Sequence, residues 1–270
     1  MPAAASMFAT VNGAGTGYEV HGTGKAVVFI HDRAGSLEVW RAQVPALAGN
    51  NTVVLFDSRG VGRSHWGSVD PDYSTELLAD DVVGLLDVLG IEQATLVGLS
   101  MGGGVAQMCA LRHPERVAAL VLVSTSPQFS ESTRARMRAE ADEIERAGIR
   151  RAVAETMTSR WFSQSFAEAH PEAVAAVCQG VLRCAPDVLA ARSRANAERD
   201  FTARLPEITC PVLFVAGAQD PMGPTTHADT YSAGLRDLEV HLIEGSSHLV
   251  PIEAAEEFNR VLADFLIRKG

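Results

Sequence analysis

Short apolar runs alternate with amphipathic stretches through the first half of the chain. Ala26-Val-Val-Phe-Ile-His31, Thr52-Val-Val-Leu-Phe-Asp57, Ala94-Thr-Leu-Val-Gly-Leu99 and Val117-Ala-Ala-Leu-Val-Leu-Val123 are almost continuously apolar. A strand with one wet face alternates apolar and polar residues, so these runs predict strands covered on both faces. Between the second and third runs, Leu78, Val82, Leu85 and Leu89 recur at spacings of four, three and four. That period places them on one helical face, with Ser74 as N-cap and Gly90 as the stop. Strands alternating with helices predict a mostly parallel sheet with helices on both faces.

The rhythm stops after Val123. From Pro127 to Leu205 there is no strand-like run; the segment is rich in Ala, Arg and Glu and predicts several helices, with breaks near Gly148, His170-Pro171 and Pro186. Strand-like runs return at Pro211-Val-Leu-Phe-Val-Ala216 and Leu238-Glu-Val-His-Leu-Ile243. A last helix is expected from Pro251, with Ala255, Phe258, Leu262 and Phe265 on one face. The expected organisation is one α/β core, residues 1–126 and 206–270, interrupted by a helical insertion over 127–205.

Composition narrows the class. The 270 residues are 47% hydrophobic and 21% charged, which excludes a disordered chain. The net charge of −10 argues against a nucleic-acid or anionic-membrane surface. No apolar run approaches the ~20 residues of a membrane-spanning helix, and the N-terminal residues lack the charged start and apolar run of a signal peptide. Cys109, Cys178, Cys184 and Cys210 show no Cys-x-x-Cys pair and no ligand-like spacing with histidine. Reduced structural thiols, no metal and a cytoplasmic setting are expected. Without a phosphate-binding loop or dinucleotide fingerprint, no cofactor is expected either.

The strongest chemical signal is Gly98-Leu99-Ser100-Met101-Gly102, which matches G-x-S-x-G between a predicted strand and a predicted helix. That context is the one a nucleophile elbow requires: flanking glycines remove side chains that would clash in the turn, and the serine hydroxyl is lifted above the sheet. A serine needs a base to take its proton, and the base needs an acid that fixes its tautomer. In this arrangement the partners follow in the order Ser, acid, His. Asp220 follows the 211–216 run, and His248 lies between the 238–243 run and the last helix. His21, His65, His113, His170 and His241 fall on strands, helix ends or early loops with no matching acid; His227 falls inside the helix after Asp220. Two N–H donors should face the developing oxyanion. By position these are the backbone N–H groups of Met101 and of Arg33, the latter in His31-Asp-Arg-Ala-Gly35.

With these pieces in place, the chain resembles the α/β-hydrolase superfamily along nearly its whole length. The resemblance implies a mostly parallel eight-stranded sheet flanked by helices, with an inserted helical cap. Phe56-Asp-Ser-Arg-Gly-Val-Gly-Arg-Ser64 is similar to that family's D-x-R-G-x-G-x-S loop, which implies a structural role for Asp57 and Arg59. Glu155-Thr-Met-Thr-Ser-Arg-Trp-Phe162, Phe166, His170-Pro171 and Leu205-Pro206 are similar to the cap of 3-oxoadipate enol-lactonases and their esterase relatives. There the resemblance implies that Arg160 and Trp161 border the substrate pocket. An arginine can hold a carboxylate by a bidentate bond. The competing reading is a surface ion pair for Arg160 and cap–core packing for Trp161.

One residue departs from the pattern. The superfamily has His-Gly where this chain has His31-Asp32. Asp tolerates positive φ, so the loop shape is expected to survive. An ionised carboxylate beside an oxyanion would oppose it, so Asp32 is expected to turn away and pair with an arginine such as Arg33 or Arg59; the alternative is that it stays at the site and serves a special step. The expected activity is serine hydrolysis of a small carboxylic ester or lactone through an acyl-enzyme on Ser100. Carbon–carbon bond hydrolysis, perhydrolysis and hydroxynitrile cleavage use the same residue set, and a small-molecule receptor and a partner-binding scaffold are the non-enzymatic alternatives. The expected partner is the small-molecule substrate alone, and homo-oligomerisation is left open.

Overall fold

The computed structural model describes residues 7–64 and 73–270; His65, weighed above as a base, lies outside them. The described residues form one eight-stranded sheet. Its strands are β1 (Met7–Val11), β2 (Ala14–His21), β3 (Lys25–Ile30), β4 (Asn51–Phe56), β5 (Ala94–Leu99), β6 (Val117–Val123), β7 (Val212–Gly217) and β8 (Leu238–Ile243). The spatial order is β1-β2-β4-β3-β5-β6-β7-β8. The β1–β2 and β2–β4 pairs are antiparallel and the others parallel.

The six strands expected from apolar runs are present, displaced by no more than one residue at any end. Every residue of β5 and β7 is buried, whereas β8, at the sheet edge, buries only Ile243. β1 and β2 had no counterpart among the apolar runs. β1 has an alternating burial pattern, and the hairpin turns at Asn12-Gly13, both at positive φ (46° and 78°). Asn-Gly is the sequence signature of such a turn.

Helices α1 (Val44–Leu47), α2 (Thr75–Leu89) and α3 (Met101–Arg112) belong to the first half. The Ser74 hydroxyl accepts the Leu77 N–H at 3.2 Å, and Gly90, at φ 65°, ends α2 in the left-handed conformation. Between β6 and β7 lie α4 (Glu131–Ala147), α5 (Arg151–Thr158), α6 (Gln164–Ala169), α7 (Pro171–Leu182) and α8 (Pro186–Glu198). Breaks fall at Gly148, His170 and ahead of Pro186, with one more between α5 and α6. The chain enters and leaves this insertion side by side: Gln128 bridges Asp200, and the Phe201 N–H donates to the Pro127 carbonyl at 3.0 Å. After β7 come α9 (Pro224–Gly234), α10 (Val250–Glu253) and α11 (Ala255–Lys269). The single last helix expected from Pro251 is thus two, starting at Val250 and interrupted at Ala254.

Successive residues of a strand enter opposite layers. Leu96, Leu120 and Phe214 pack on one side with α2, α3 and α9; Val97, Val121 and Val215 pack on the other with Trp40 and Phe258. A third cluster lies inside the insertion, where Ile144, Met157, Val181 and Leu189 take in Ala34 from the loop after β3. All four cysteines are free.

The loop after β4 is fixed by its charges. Asp57 accepts the N–H groups of Leu37 and Arg63 at 2.8 and 2.9 Å. Arg59 clasps Asp81 of α2 bidentately at 2.8 and 2.6 Å, both residues buried. Removing one partner of a buried pair leaves an uncompensated charge, which costs about 3–5 kcal/mol. Arg59→Met is therefore expected to lower the unfolding free energy by about that amount in urea titration, and a loss below about 1 kcal/mol would refute the assignment.

Candidate active site

Ser100 joins β5 to α3 at φ 55° and ψ −111°. A non-glycine residue in that region carries about 1–3 kcal/mol of strain, which its surroundings must impose. The Ser100 N–H donates to the Val123 carbonyl at 2.8 Å, and the Thr125 hydroxyl donates to the Ser100 carbonyl at 2.6 Å. The positions two residues before and two after it must be glycine for packing reasons. A Cβ at Gly98 would lie 2.3 Å from the Gly102 oxygen, and one at Gly102 would lie 2.2 Å from the Ile30 oxygen. The Ser100 side chain lines a cavity and has no hydrogen-bond partner among the described residues. Behind it, the Met101 N–H opens α3 without an acceptor, as the first turn of a helix leaves it.

Asp220 follows β7 and His248 follows β8. His248 Nδ1 lies 2.7 Å from Asp220 Oδ2, and the Met222 N–H holds Asp220 Oδ1 at 2.9 Å. Burial alone would lower the His248 pKa; the charge and hydrogen bond of Asp220 outweigh it, with help from Asp32, and the pKa is raised. Burial would raise the Asp220 pKa, but the His248 charge and hydrogen bond and the Met222 N–H lower it. Asp220 therefore stays ionised and fixes the Nδ1–H tautomer, which leaves Nε2 as the accepting atom. His248 and Ser100 line the same cavity, although no hydrogen bond links them in this structure. Such bonds commonly tighten only with substrate in place. His227 on α9 also lines the cavity, its Nε2 buried without a partner and its pKa lowered by burial.

The loop after β3 differs from expectation at Asp32. Asp32 pairs with neither Arg33 nor Arg59. Arg59 is taken by Asp81, and Arg33 donates to Ser193 at 2.7 Å and Glu140 at 2.8 Å, both in the insertion. Asp32 Oδ1 instead accepts the N–H groups of Ala34 and Gly35, both at 2.8 Å. A short carboxylate closes such a turn locally and orders less chain than reaching a distant arginine. Nor does Asp32 adopt positive φ. The Arg33 N–H has no acceptor among the described residues. His31 is fully buried; its Nε2 accepts the Ser58 N–H at 2.9 Å and its Nδ1 lies 2.6 Å from the Asp32 carbonyl. An N–H can donate only to a bare nitrogen, so the proton sits on Nδ1 and points at that carbonyl. Burial, and then the Arg192 charge, lower the His31 pKa and keep the ring neutral.

The cavity measures about 110 Å³. Arg33, Arg136, Arg160 and Arg199 line it, with Glu140 as the one acidic lining residue among the described residues, already bound to Arg33. Arg160 is exposed and makes no ion pair among the described residues, so the surface-pair alternative is not realised. Trp161 borders the cavity and also packs against both the core and the insertion clusters; its carbonyl accepts the Leu249 N–H at 3.0 Å. Arg199 is buried, stacks over Phe129 at 4.7 Å and donates to Asn196 at 2.7 Å. No carboxylate pairs with it among the described residues, its Nε is orphaned, and burial pushes its pKa down to about 10.

Sequence reasoning missed Thr125, Arg192 and Arg199. Thr125 had a usable signal, since it follows the carboxyl end of a parallel strand, where ligands gather in such sheets. Arg192 and Arg199 had none: in sequence they match the surface arginines around them.

Residues 25–255 match the family described as alpha/beta hydrolase fold. The chain is 30% identical over 237 residues to 3-oxoadipate enol-lactonase 2 of Acinetobacter baylyi, covering 88% of this chain and 86% of that one. It is 33% identical over 256 residues to a Variovorax paradoxus protein named "Putative carbamate hydrolase RutD", covering 93% and 96%. The solved structure of a thermophilic esterase from Thermogutta terrifontis, malate bound, gives a TM-score of 0.90 at 29% identity, covering 98% of this chain and 99% of that one. The site geometry and a match over most of the length agree: the chain belongs to the alpha/beta hydrolase fold family.

Proposed function

We propose that this hydrolase cleaves a small carboxylic ester or lactone through an acyl-enzyme on Ser100. The observation that carries the reading is the strained Ser100 elbow in one cavity with the Asp220–His248 pair. His248 Nε2 takes the Ser100 proton as Oγ attacks the carbonyl carbon. The N–H groups of Met101 and Arg33 hold the oxyanion. The protonated His248 then gives its proton to the leaving oxygen, and the carbon–oxygen bond breaks. Water, activated by His248, attacks the acyl-enzyme and releases the acid and free Ser100. Arg33 thus contributes its backbone to the oxyanion, while its side chain ties the loop to the insertion.

The lining favours an acyl group that carries negative charge. Four arginines face one carboxylate inside a chain of net charge −10. Arg160 and Trp161 border the substrate as part of that lining, and Arg199 supplies a buried charge. The insertion serves as the cap over this pocket. The acyl group of a carbamate is a second substrate class, supported by the similarity to the Variovorax paradoxus protein.

A burst of p-nitrophenol from p-nitrophenyl acetate or butyrate, equal to the enzyme concentration and absent in Ser100→Ala, is the expected result. Ser100→Ala is expected to lose roughly 10⁴-fold or more in kcat, and full activity in that variant would end this reading. The pH profile of kcat/KM should fall on the acid side through an apparent pKa above the ordinary histidine value of about 6.5, because His248 must be neutral to act and its pKa is raised. A midpoint below about 6 would contradict the Asp220 pairing. Hydrogen bonds to charged groups contribute about 1.5–3 kcal/mol, so Arg199→Met should raise KM for a carboxylate-bearing ester about 10- to 100-fold. The KM for p-nitrophenyl butyrate should change little; equal effects on both substrates would remove Arg199 from carboxylate recognition.

A further inference from the structure

The oxyanion donor on Arg33 depends on the orientation of one peptide unit. In a trans peptide the Asp32 carbonyl and the Arg33 N–H point in opposite directions. Whatever holds the carbonyl therefore aims the N–H. Two groups hold it: His31 Nδ1 at 2.6 Å and Arg192 Nη2 at 3.2 Å. Arg192 Nε also donates to the next carbonyl, that of Arg33, at 3.0 Å. Asp32 Oδ1 engages the N–H groups of Ala34 and Gly35, which leaves the Arg33 N–H as the donor without an acceptor.

Arg192 is an unusual choice for a packing role. It stands on α8 in the insertion, is 1% exposed, and has no carboxylate partner among the described residues. Burying a guanidinium with no carboxylate bonded to it is costly. An apolar side chain of similar length would fill the space without that cost. What an apolar side chain cannot do is hold two consecutive carbonyls with one rigid planar fork. A cation behind the carbonyl also polarises the peptide and strengthens its N–H as a donor.

We propose that Arg192 is a positioning residue for the oxyanion site, acting from the insertion through the Asp32–Arg33 peptide unit. The proposal rests on acyl transfer at Ser100. It assigns Arg192 a contribution to the transition state and none to ground-state binding. Losing an oxyanion donor outright costs about 10²–10³ in kcat; a misaimed donor costs less.

The test compares wild type, Arg192→Met, Arg192→Lys and Ser100→Ala with p-nitrophenyl butyrate. Active sites are counted by burst amplitude, so that kcat refers to folded, acylating enzyme. Inhibition by n-butylboronic acid, which forms a tetrahedral anion on a serine, reports oxyanion binding separately. For Arg192→Met, kcat per site should fall about 10- to 100-fold with KM within about two-fold. Boronate affinity should fall in parallel, and Arg192→Lys should lie between, since one ammonium cannot span both carbonyls. Unchanged kcat per site and unchanged boronate affinity in Arg192→Met would overturn the proposal. If Arg192→Met does not fold, Arg192→Lys decides: wild-type kcat per site and boronate affinity in that variant overturn it equally. A wild-type burst that survives in Ser100→Ala, or a folded wild type with neither burst nor turnover, defeats the acyl-enzyme reading and this proposal with it. A Ser100-dependent burst with a wild-type-like Arg192→Met defeats the positioning role alone.

Discussion

One turn of backbone governs this site. Ser100 sits at φ 55° and ψ −111°, a conformation that no local preference of serine explains. Its surroundings impose it: β5 is buried at every residue, and the Ser100 N–H and C=O are bonded to Val123, the last residue of β6, and to Thr125 just beyond it. The absence of side chains at Gly98 and Gly102 lets α3 begin against the end of β3. The same contact that bends the chain at Ser100 thus brings the first turn of α3 against the Ile30 and His31 carbonyls, where the loop after β3 begins. The proposed nucleophile and oxyanion donors are then products of one close approach.

The insertion then fastens the loops that the core provides. Arg33 reaches Glu140 on α4 and Ser193 on α8, and Arg192 holds the Asp32 and Arg33 carbonyls. On the histidine side, the Leu249 N–H donates to the Trp161 carbonyl, and Glu253 accepts the N–H groups of both Ser163 and Ser247. Movement of the insertion as one rigid body would break charge-assisted bonds on both sides of the cavity. Such bonds are about twice as strong as neutral ones. Exchange of small molecules by local side-chain motion at the exposed Arg160 disturbs none of them.

Legibility in the sequence followed the strength of local constraint. The elbow was readable because close backbone packing admits only glycine at Gly98 and Gly102. Asp220 and His248 were readable because strand ends mark where chemistry collects in a parallel sheet. The β1–β2 hairpin escaped the apolar-run criterion because an edge strand needs only one covered face. Its Asn12-Gly13 turn was the signal to follow. Asp32 departs from the expected arginine pairing because a carboxylate has a local option, two N–H groups two and three residues ahead, that outcompetes distant arginines. Arg192 and Arg199 carry no local mark, since what distinguishes them is burial created by the fold around α8.

Asp32 shows how a charge that is unfavourable at one atom can be favourable at the next. A carboxylate near a developing oxyanion opposes it. In this structure the two N–H groups on Oδ1 and the Arg192 guanidinium on the adjacent carbonyls moderate that opposition. The same negative charge helps raise the His248 pKa. In acyl transfer the oxyanion and the imidazolium form together, so the transition state is a separated charge pair, not a lone anion. On the proposed mechanism, a negative charge at Asp32 stabilises the positive member of that pair, while the peptide that Asp32 shapes supplies a donor to the negative one. A glycine would remove the repulsion and, with it, both contributions.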